Sequence, residues 1–379
     1  MATTATASTA PRPVRPGTGR WVVPFTAGDA GRKDLLGGKG ANLCEMTRIG
    51  LPVPPGFVIT TEACRRFRAV GDVPAGLWDE VDAALADLEA VTGRRLGDPD
   101  APLLLSVRSG APFSMPGMMD TVLDLGATDA TVPGLTRMAD DAFAQDSTRR
   151  FTELFGRVVL GVPAARLDAV REEAVAAAGV PDERHLTAAQ LGDVVARQRA
   201  VIAAHGGAFP DDPRAQLRDA VVAVFRSWDG SRARAYRRVE GIDDDLGTAV
   251  NVQMMVFGNL DDRSATGVAF TRDPATGADA PYGDFLVGAQ GEDVVAGTRH
   301  PEPLARMADV LPAQHAELLR HLATLERHAR DLCDVEFTVE SGRLWMLQTR
   351  VGKRSAAAAL RIATDMVAEG LIDRREALA

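Results

Sequence analysis

A chain of 379 residues, 46% hydrophobic and 25% charged, has material for a large core divided among two or three units. No run of about 18 apolar residues occurs, which argues against an apolar helical span, and a net charge of −9 argues against general binding to nucleic acid or an anionic membrane. Cys44, Cys64 and Cys333 are odd in number and form no C-x-x-C, so neither a disulfide framework nor a zinc site is expected, and a cytoplasmic location fits.

In chain order, residues 1–20 carry three arginines, no acid and no apolar core, and are expected to form a disordered tail. A first lobe is expected over 21–127, with strands at Phe57–Ile59 and Leu103–Leu105 beside glycine and proline turns. Residues 128–209 carry a helical pattern and form an expected helical insertion, in which Thr187 and Gln190 make a capping box. A second lobe is expected over 210–353. It opens with Asp212 and Pro213 as cap and first residue of a helix bearing Leu217, Val221, Val224, Phe225 and Trp228. From Ala249 the period changes to two, and strands follow at 266–271, 284–289, 334–339 and 343–350. A helix over 355–369, ending at Gly370, occupies an expected linker, 354–379. The order of elements gives an α+β protein with a helical insertion.

Four motifs carry chemistry. Gly37-Gly38-Lys39-Gly40 allows close backbone approach to a ligand and supplies a cation suited to phosphate, although it is not a G-x-x-x-x-G-K-[ST] loop. Its lysine is one of three in the chain, with Lys33 and Lys353; the remaining positive charge is arginine. Arg108, at the end of an apolar run, can grip phosphate oxygens, and the Ser114–Thr121 stretch that follows, rich in methionine, glycine and proline, suggests a flap. A segment from Ala289 to Gly297 could receive a nucleobase edge on its backbone.

The fourth is a hairpin, 334–340 and 343–350. A two-residue Ser341-Gly342 loop sets Glu336 opposite Leu347; a three-residue loop sets Asp334 opposite Gln348 and Glu336 opposite Met346. The longer loop sorts the residues better, with Val335, Phe337, Val339, Trp345 and Leu347 on an apolar face. Asp334, Glu336, Gln348 and Arg350 then share the other, a set suited to Mg²⁺ and polyphosphate.

Taken together, GGKGANL at 37–43, SVRSGAPFSMPGMMDTVLDLG at 106–126, TAVNVQMMVFGN at 248–259, TGVAFTRDPATG at 266–277, AQGEDVVAG at 289–297 and the hairpin with its following helix resemble pyruvate, phosphate dikinase from about Trp21 onward. The resemblance implies an ATP-grasp fold with ATP and Mg²⁺ between two lobes. It further implies that Lys39, Arg108 and Arg350 hold phosphates and that Glu292 and Val294 contact adenine. Asp334, Glu336 and Gln348 would meet ribose or metal, with Glu336 and Gln348 as the Mg²⁺ ligands. Gly117 and Met119 would belong to a phosphate-side loop, and Thr266 and Gly267 would line the cleft. In the family the pyrophosphoryl group of ATP passes to a histidine on a swivelling domain and then onward to pyruvate. None of His185, His205, His300, His315, His321 and His328 stands in that histidine's Thr-x-His-Ala setting, and each reads as a solvated surface residue. The expected partner is therefore a separate protein or domain carrying the phosphohistidine and phosphoenolpyruvate/pyruvate functions. The alternatives are a small-molecule kinase or ligase and a non-catalytic ATP-binding subunit.

Overall fold

The computed structural model describes residues 21–378 except 114, 116 and 296–299, so the expected tail at 1–20 lies outside the described residues. Two five-stranded antiparallel sheets organise the chain. The first has the order β1-β2-β5-β3-β4, from Val22–Pro24 (β1), Gly56–Ile59 (β2), Leu105–Gly110 (β3), Thr121–Leu125 (β4) and Ala249–Met254 (β5). The second has the order β10-β9-β6-β7-β8, from Ala265–Phe270 (β6), Tyr282–Val287 (β7), Glu302–Pro303 (β8), Cys333–Glu340 (β9) and Arg343–Val351 (β10).

Strand β5 lies C-terminal to the expected boundary at 210. It is the middle strand of the first sheet, so the division between sheets falls between β5 and β6. Its period-two pattern is genuine, yet both faces are buried. Val250 and Val252 enter the core on one side, while Asn251 and Gln253 are buried on the other, where their amides donate to Arg108 O and Pro54 O. Leu103 and Leu104, expected as strand, precede β3; the Leu103 N–H instead donates to Arg95 O in a turn.

Helices α1 (Lys33–Arg48), α2 (Thr61–Val70) and α3 (Leu77–Thr92) belong to the first half. The helical segment contributes α4 (Val132–Met138), α5 (Asp141–Val158), α6 (Ala164–Ala178) and α7 (Ala188–Ala204). It packs onto the first sheet: Phe143, Phe151 and Phe155 of α5 share a core with Val107 and Val252. The Thr187–Gln190 capping box closes both ways on α7, and Asp212 caps α8 (Pro213–Ser227) with Pro213 first, so these two local signals carry through. Next come α9 (Ser231–Glu240), α10 (Gly291–Val295), α11 (Met307–Val310), α12 (Pro312–Ala329) and α13 (Ala356–Ala368).

Helix α1 is the keystone between the sheets. Leu36, Leu43 and Met46 share one core with Val58 of the first sheet and with Val335, Phe337 and Met346 of the second. The glycine motif lies inside this helix rather than in a loop before it, and Gly37, at φ 67° and ψ 165°, breaks the helical path. A Cβ on Gly37 would stand 1.6 Å from Gly110 O, so only glycine lets α1 approach the end of β3. Beyond the break the Gly38 N–H donates to Ala111 O at 2.8 Å, which seats Lys39 over the end of β3. Among the described residues no helix is long and apolar enough to cross a membrane.

Candidate functional site

The two sheets enclose a cavity of about 1280 Å³. Strand β3 brings Arg108 to it from the first sheet, and the β9–β10 hairpin brings Glu336 and Gln348 from the second. The hairpin has neither expected register. Its loop is the two-residue Ser341-Gly342, both at positive φ (47° and 81°), the backbone a tight hairpin turn requires. Leu347 is then left unpaired in a bulge, which resets the pairing to Gln348 opposite Glu336 and Arg350 opposite Asp334. The expected polar group therefore comes together by a different route. On the apolar face, Leu344 and Met346 join Val335, Phe337 and Val339 in the core, where Trp345 and Leu347 were expected; Trp345 pairs with Thr338, and Leu347 lines the cavity.

An Arg108 Nη2–H donates to Gln348 Oε1 at 3.0 Å and lies 3.6 Å from Glu336 Oε2, while Gln348 Nε2–H donates to Glu336 Oε1 at 3.2 Å. The Arg108 side chain is only 14% exposed, so its charge is poorly screened by solvent. Lys39 lies partly buried beside it. Burial, then the Arg108 guanidinium, pulls Lys39 down to about 7; the Glu336 carboxylate opposes this and Arg350 adds to it. Such a site holds more positive charge than its own carboxylate neutralises and is built for a multivalent anion.

All three lysines of the chain, Lys33, Lys39 and Lys353, line this one cavity. Arg350, Gly117, Met119, Thr266, Gly267 and Val294 line it too. Asp334 is not among the lining residues: it is 7% exposed and accepts from Arg350 Nε–H at 2.6 Å, so it holds a lining guanidinium rather than facing the space itself. The Glu292 side chain lies outside the described residues, as do Ser114 and Pro116 of the methionine-rich stretch. Met115 is buried against Trp228 and Ala233, with Met118 and Met119 packed on the same cluster, so the described part of the stretch is anchored on α9 and on Trp228 just beyond α8.

Sequence reasoning missed several neighbours. Thr338 lines the cavity, its hydroxyl 3.2 Å from that of Thr266 across the β6–β9 pair. His328 of α12, expected as a solvated surface residue, also lines it and meets Glu45 of α1 at 2.6 Å. The Arg48 hydrogen bond, helped by bonds from Ala30 N–H and His328, draws Glu45 down to about 2. Asn42 Nδ2–H donates to Thr349 O at 2.7 Å, a hydrogen bond between α1 and the hairpin. Their spacing in the sequence gives no sign that these pairs meet.

Residues 33–90 and 70–312 match the family described as pyruvate phosphate dikinase, AMP/ATP-binding domain. The chain belongs to this family. It is 54% identical over 352 residues to pyruvate, phosphate dikinase 2 of Oryza sativa subsp. japonica, covering 93% of this chain and 40% of that protein. It is 54% identical over 353 residues to the chloroplastic dikinase of Flaveria pringlei and 52% identical over 353 to chloroplastic dikinase 1 of Arabidopsis thaliana, each alignment covering 93% of this chain and 37% of the relative. The chain thus spans about two fifths of the length of the curated relatives it matches. The dikinase domain has an ATP-grasp type of fold, and the two antiparallel sheets about one cavity are its form here.

Proposed function

We propose that this dikinase-family chain binds Mg·ATP in the cavity and transfers the pyrophosphoryl group of ATP to a histidine on a separate protein or domain. The observation that carries this reading is the meeting of Arg108, Glu336 and Gln348, from two sheets, at 3.0–3.6 Å beside Lys39. Three side chains that can carry positive charge, Lys39, Arg108 and Arg350, would offset part of the negative charge of a triphosphate, and their pre-set positions would lower the reorganisation needed as charge shifts during transfer.

The donor set suits Mg²⁺. Glu336 offers a carboxylate and Gln348 an amide oxygen directly across the strand pair, and Mg²⁺ commonly takes one or two protein oxygens with the rest from phosphate and water. When bound, the ion would neutralise part of the phosphate charge. Asp334 would orient Arg350 through their ion pair. The backbone at Gly117 and Met119 would border the phosphates, and Thr266 and Gly267 the cleft wall. The backbone at Glu292 and Val294 would border the adenine.

In the transfer itself, an acceptor imidazole nitrogen attacks the β-phosphorus. The new N–P bond forms as the bond from that phosphorus to the α–β bridging oxygen breaks, and the electron pair leaves with AMP. Arg108 and Lys39 serve the charge that spreads over the phosphoryl oxygens.

The test mixes the purified chain, Mg²⁺ and ATP labelled at the β-phosphate with a histidine-domain protein encoded beside it or with the histidine domain of a full-length relative. Acid-labile label on that histidine, matched by AMP release, is the expected result. AMP and label both absent with every histidine partner, while one metabolite stimulates ADP formation, would favour a small-molecule acceptor. Nucleotide binding without turnover under all conditions would leave an ATP-binding subunit.

A further inference from the structure

The cavity has two chemically distinct ends. Arg108 and Glu336 mark the charged end. Along β3 and its partner, Leu105 pairs with Met254, three residues or roughly 10 Å from Arg108, and the cavity wall there is Met254, Met255 and Val256. Along β9 the same direction leads from Glu336 to Thr338 and on to Glu340, whose Oε1 accepts from Phe257 N–H at 3.1 Å. The far ends of both sheets therefore meet around residues 254–258. A planar apolar base fits this end as a polyphosphate fits the other.

Gln290 stands at this far end. The preceding Ala289 N–H donates to Gly258 O at 3.0 Å, and the following Gly291 lies beside Thr266. Gln290 lines the cavity and is 5% exposed, yet neither its amide nitrogen nor its amide oxygen has a partner. A buried amide with both functions unpaired is costly, and native proteins seldom keep one without a use. The backbone that bears it is firmly placed: its N–H donates to Asp293 Oδ2 at 2.9 Å, and Asp293 is in turn 3.4 Å from Arg150 of α5. The unmet demand thus belongs to the side chain alone.

We propose that Gln290 reads the nucleobase, its carboxamide turning from its buried rest position to pair with the 6-amino edge of adenine. This rests on the Mg·ATP reading above. A carboxamide offers one donor and one acceptor side by side, the complement of the amino group and the adjacent ring nitrogen. Flipped, the same amide would meet the 6-oxo edge of guanine, so the informative change removes the 6-amino group rather than exchanging one purine for the other.

The test titrates the full chain and Gln290→Leu, with Mg²⁺, against ATP, purine riboside triphosphate and inorganic tripolyphosphate. For the unaltered chain, loss of the 6-amino group should weaken binding about tenfold. Gln290→Leu should lose about a hundredfold for ATP, where both hydrogen bonds go, about tenfold for purine riboside triphosphate, whose ring nitrogen still pairs with the amide of the parent chain, and nothing for tripolyphosphate. Unchanged ATP affinity in the variant, additive losses, or a parallel loss for tripolyphosphate overturns the proposal. Wild-type tripolyphosphate affinity in the variant also establishes that the cleft is intact. A parent chain that binds neither ATP nor tripolyphosphate would overturn the Mg·ATP reading itself; a parent that binds both leaves it standing whatever Gln290→Leu does.

Discussion

Arg108 Nη2 and Gln348 Oε1 lie 3.0 Å apart although 240 positions separate them in the chain. The guanidinium comes from the first sheet and the amide from the second, so this hydrogen bond spans the cleft between them. Removing the guanidinium should therefore remove a tie between the two walls and, on the proposed function, a phosphate ligand. Arg108→Met is expected to lower kcat/KM for ATP-dependent phosphorylation by about 10³. Arg108→Lys should recover little, because an ammonium cannot reproduce the planar fork. Single-turnover kinetics with labelled ATP check both; near-normal rates in Arg108→Met would overturn the assignment.

Lys39 gives a pH signature. With its ammonium drawn down to about 7 in the free cleft, it is partly neutral at pH 7.5. The negative charge of bound polyphosphate raises it again, so ATP binding should take up a fraction of a proton near pH 7.5 and almost none at pH 5.5. Calorimetry in two buffers of different ionisation enthalpy measures this, and the uptake should vanish in Lys39→Met.

The same residue bears on stability. Its folded value of about 7 lies below the ordinary lysine value of 10.5, so between these limits the unfolded chain holds the extra proton. The Lys39 contribution to stability therefore rises with pH across that window and is least favourable below it. Lys39→Met should raise Tm at pH 7 by on the order of 2 °C while abolishing phosphorylation. A lower Tm in a scanning melt would contradict the sign.

Glu336→Gln keeps the shape of the side chain and removes its charge. It should raise the Mg²⁺ concentration for half-maximal turnover at least about tenfold. Metal-free ATP should bind as well as before or better, since a carboxylate beside the phosphates is gone. Equal metal dependence in variant and parent would exclude Glu336 as a ligand.

Two structural variants test the frame. Gly37→Ala places a methyl against Gly110 O in a backbone conformation hostile to alanine, and should cost about 3 kcal/mol or more in a denaturant melt. Arg272, 1% exposed, donates to Glu326 of α12 and to Glu369 just beyond α13 at 2.6–3.0 Å. Arg272→Met leaves two carboxylates without their cation and should cost about 3 kcal/mol, with early hydrogen exchange in α13.

Much of the local structure was legible in the residues. The Thr187–Gln190 box and the Asp212-Pro213 cap are contacts within four residues, so their sequence spacing specifies their geometry. The hairpin was legible as a hairpin but not in its register, because the bulge at Leu347 depends on where a twisted strand stops matching its neighbour. The place of β5 was hidden for a related reason: alternation reports two faces, not which sheet the strand joins, and here both faces are covered.

The sequence by itself determined which groups could carry the chemistry: a glycine-flanked lysine, an arginine closing an apolar run, and an acid–amide–arginine set on one hairpin. Only the tertiary structure decided that these groups share one cavity, that Asp334 pairs with Arg350 there, and that burial and the Arg108 guanidinium loosen the Lys39 proton. The reason is physical. Residue type fixes what a side chain can donate, accept or ionise, whereas proximity between distant segments follows from how both sheets pack on α1.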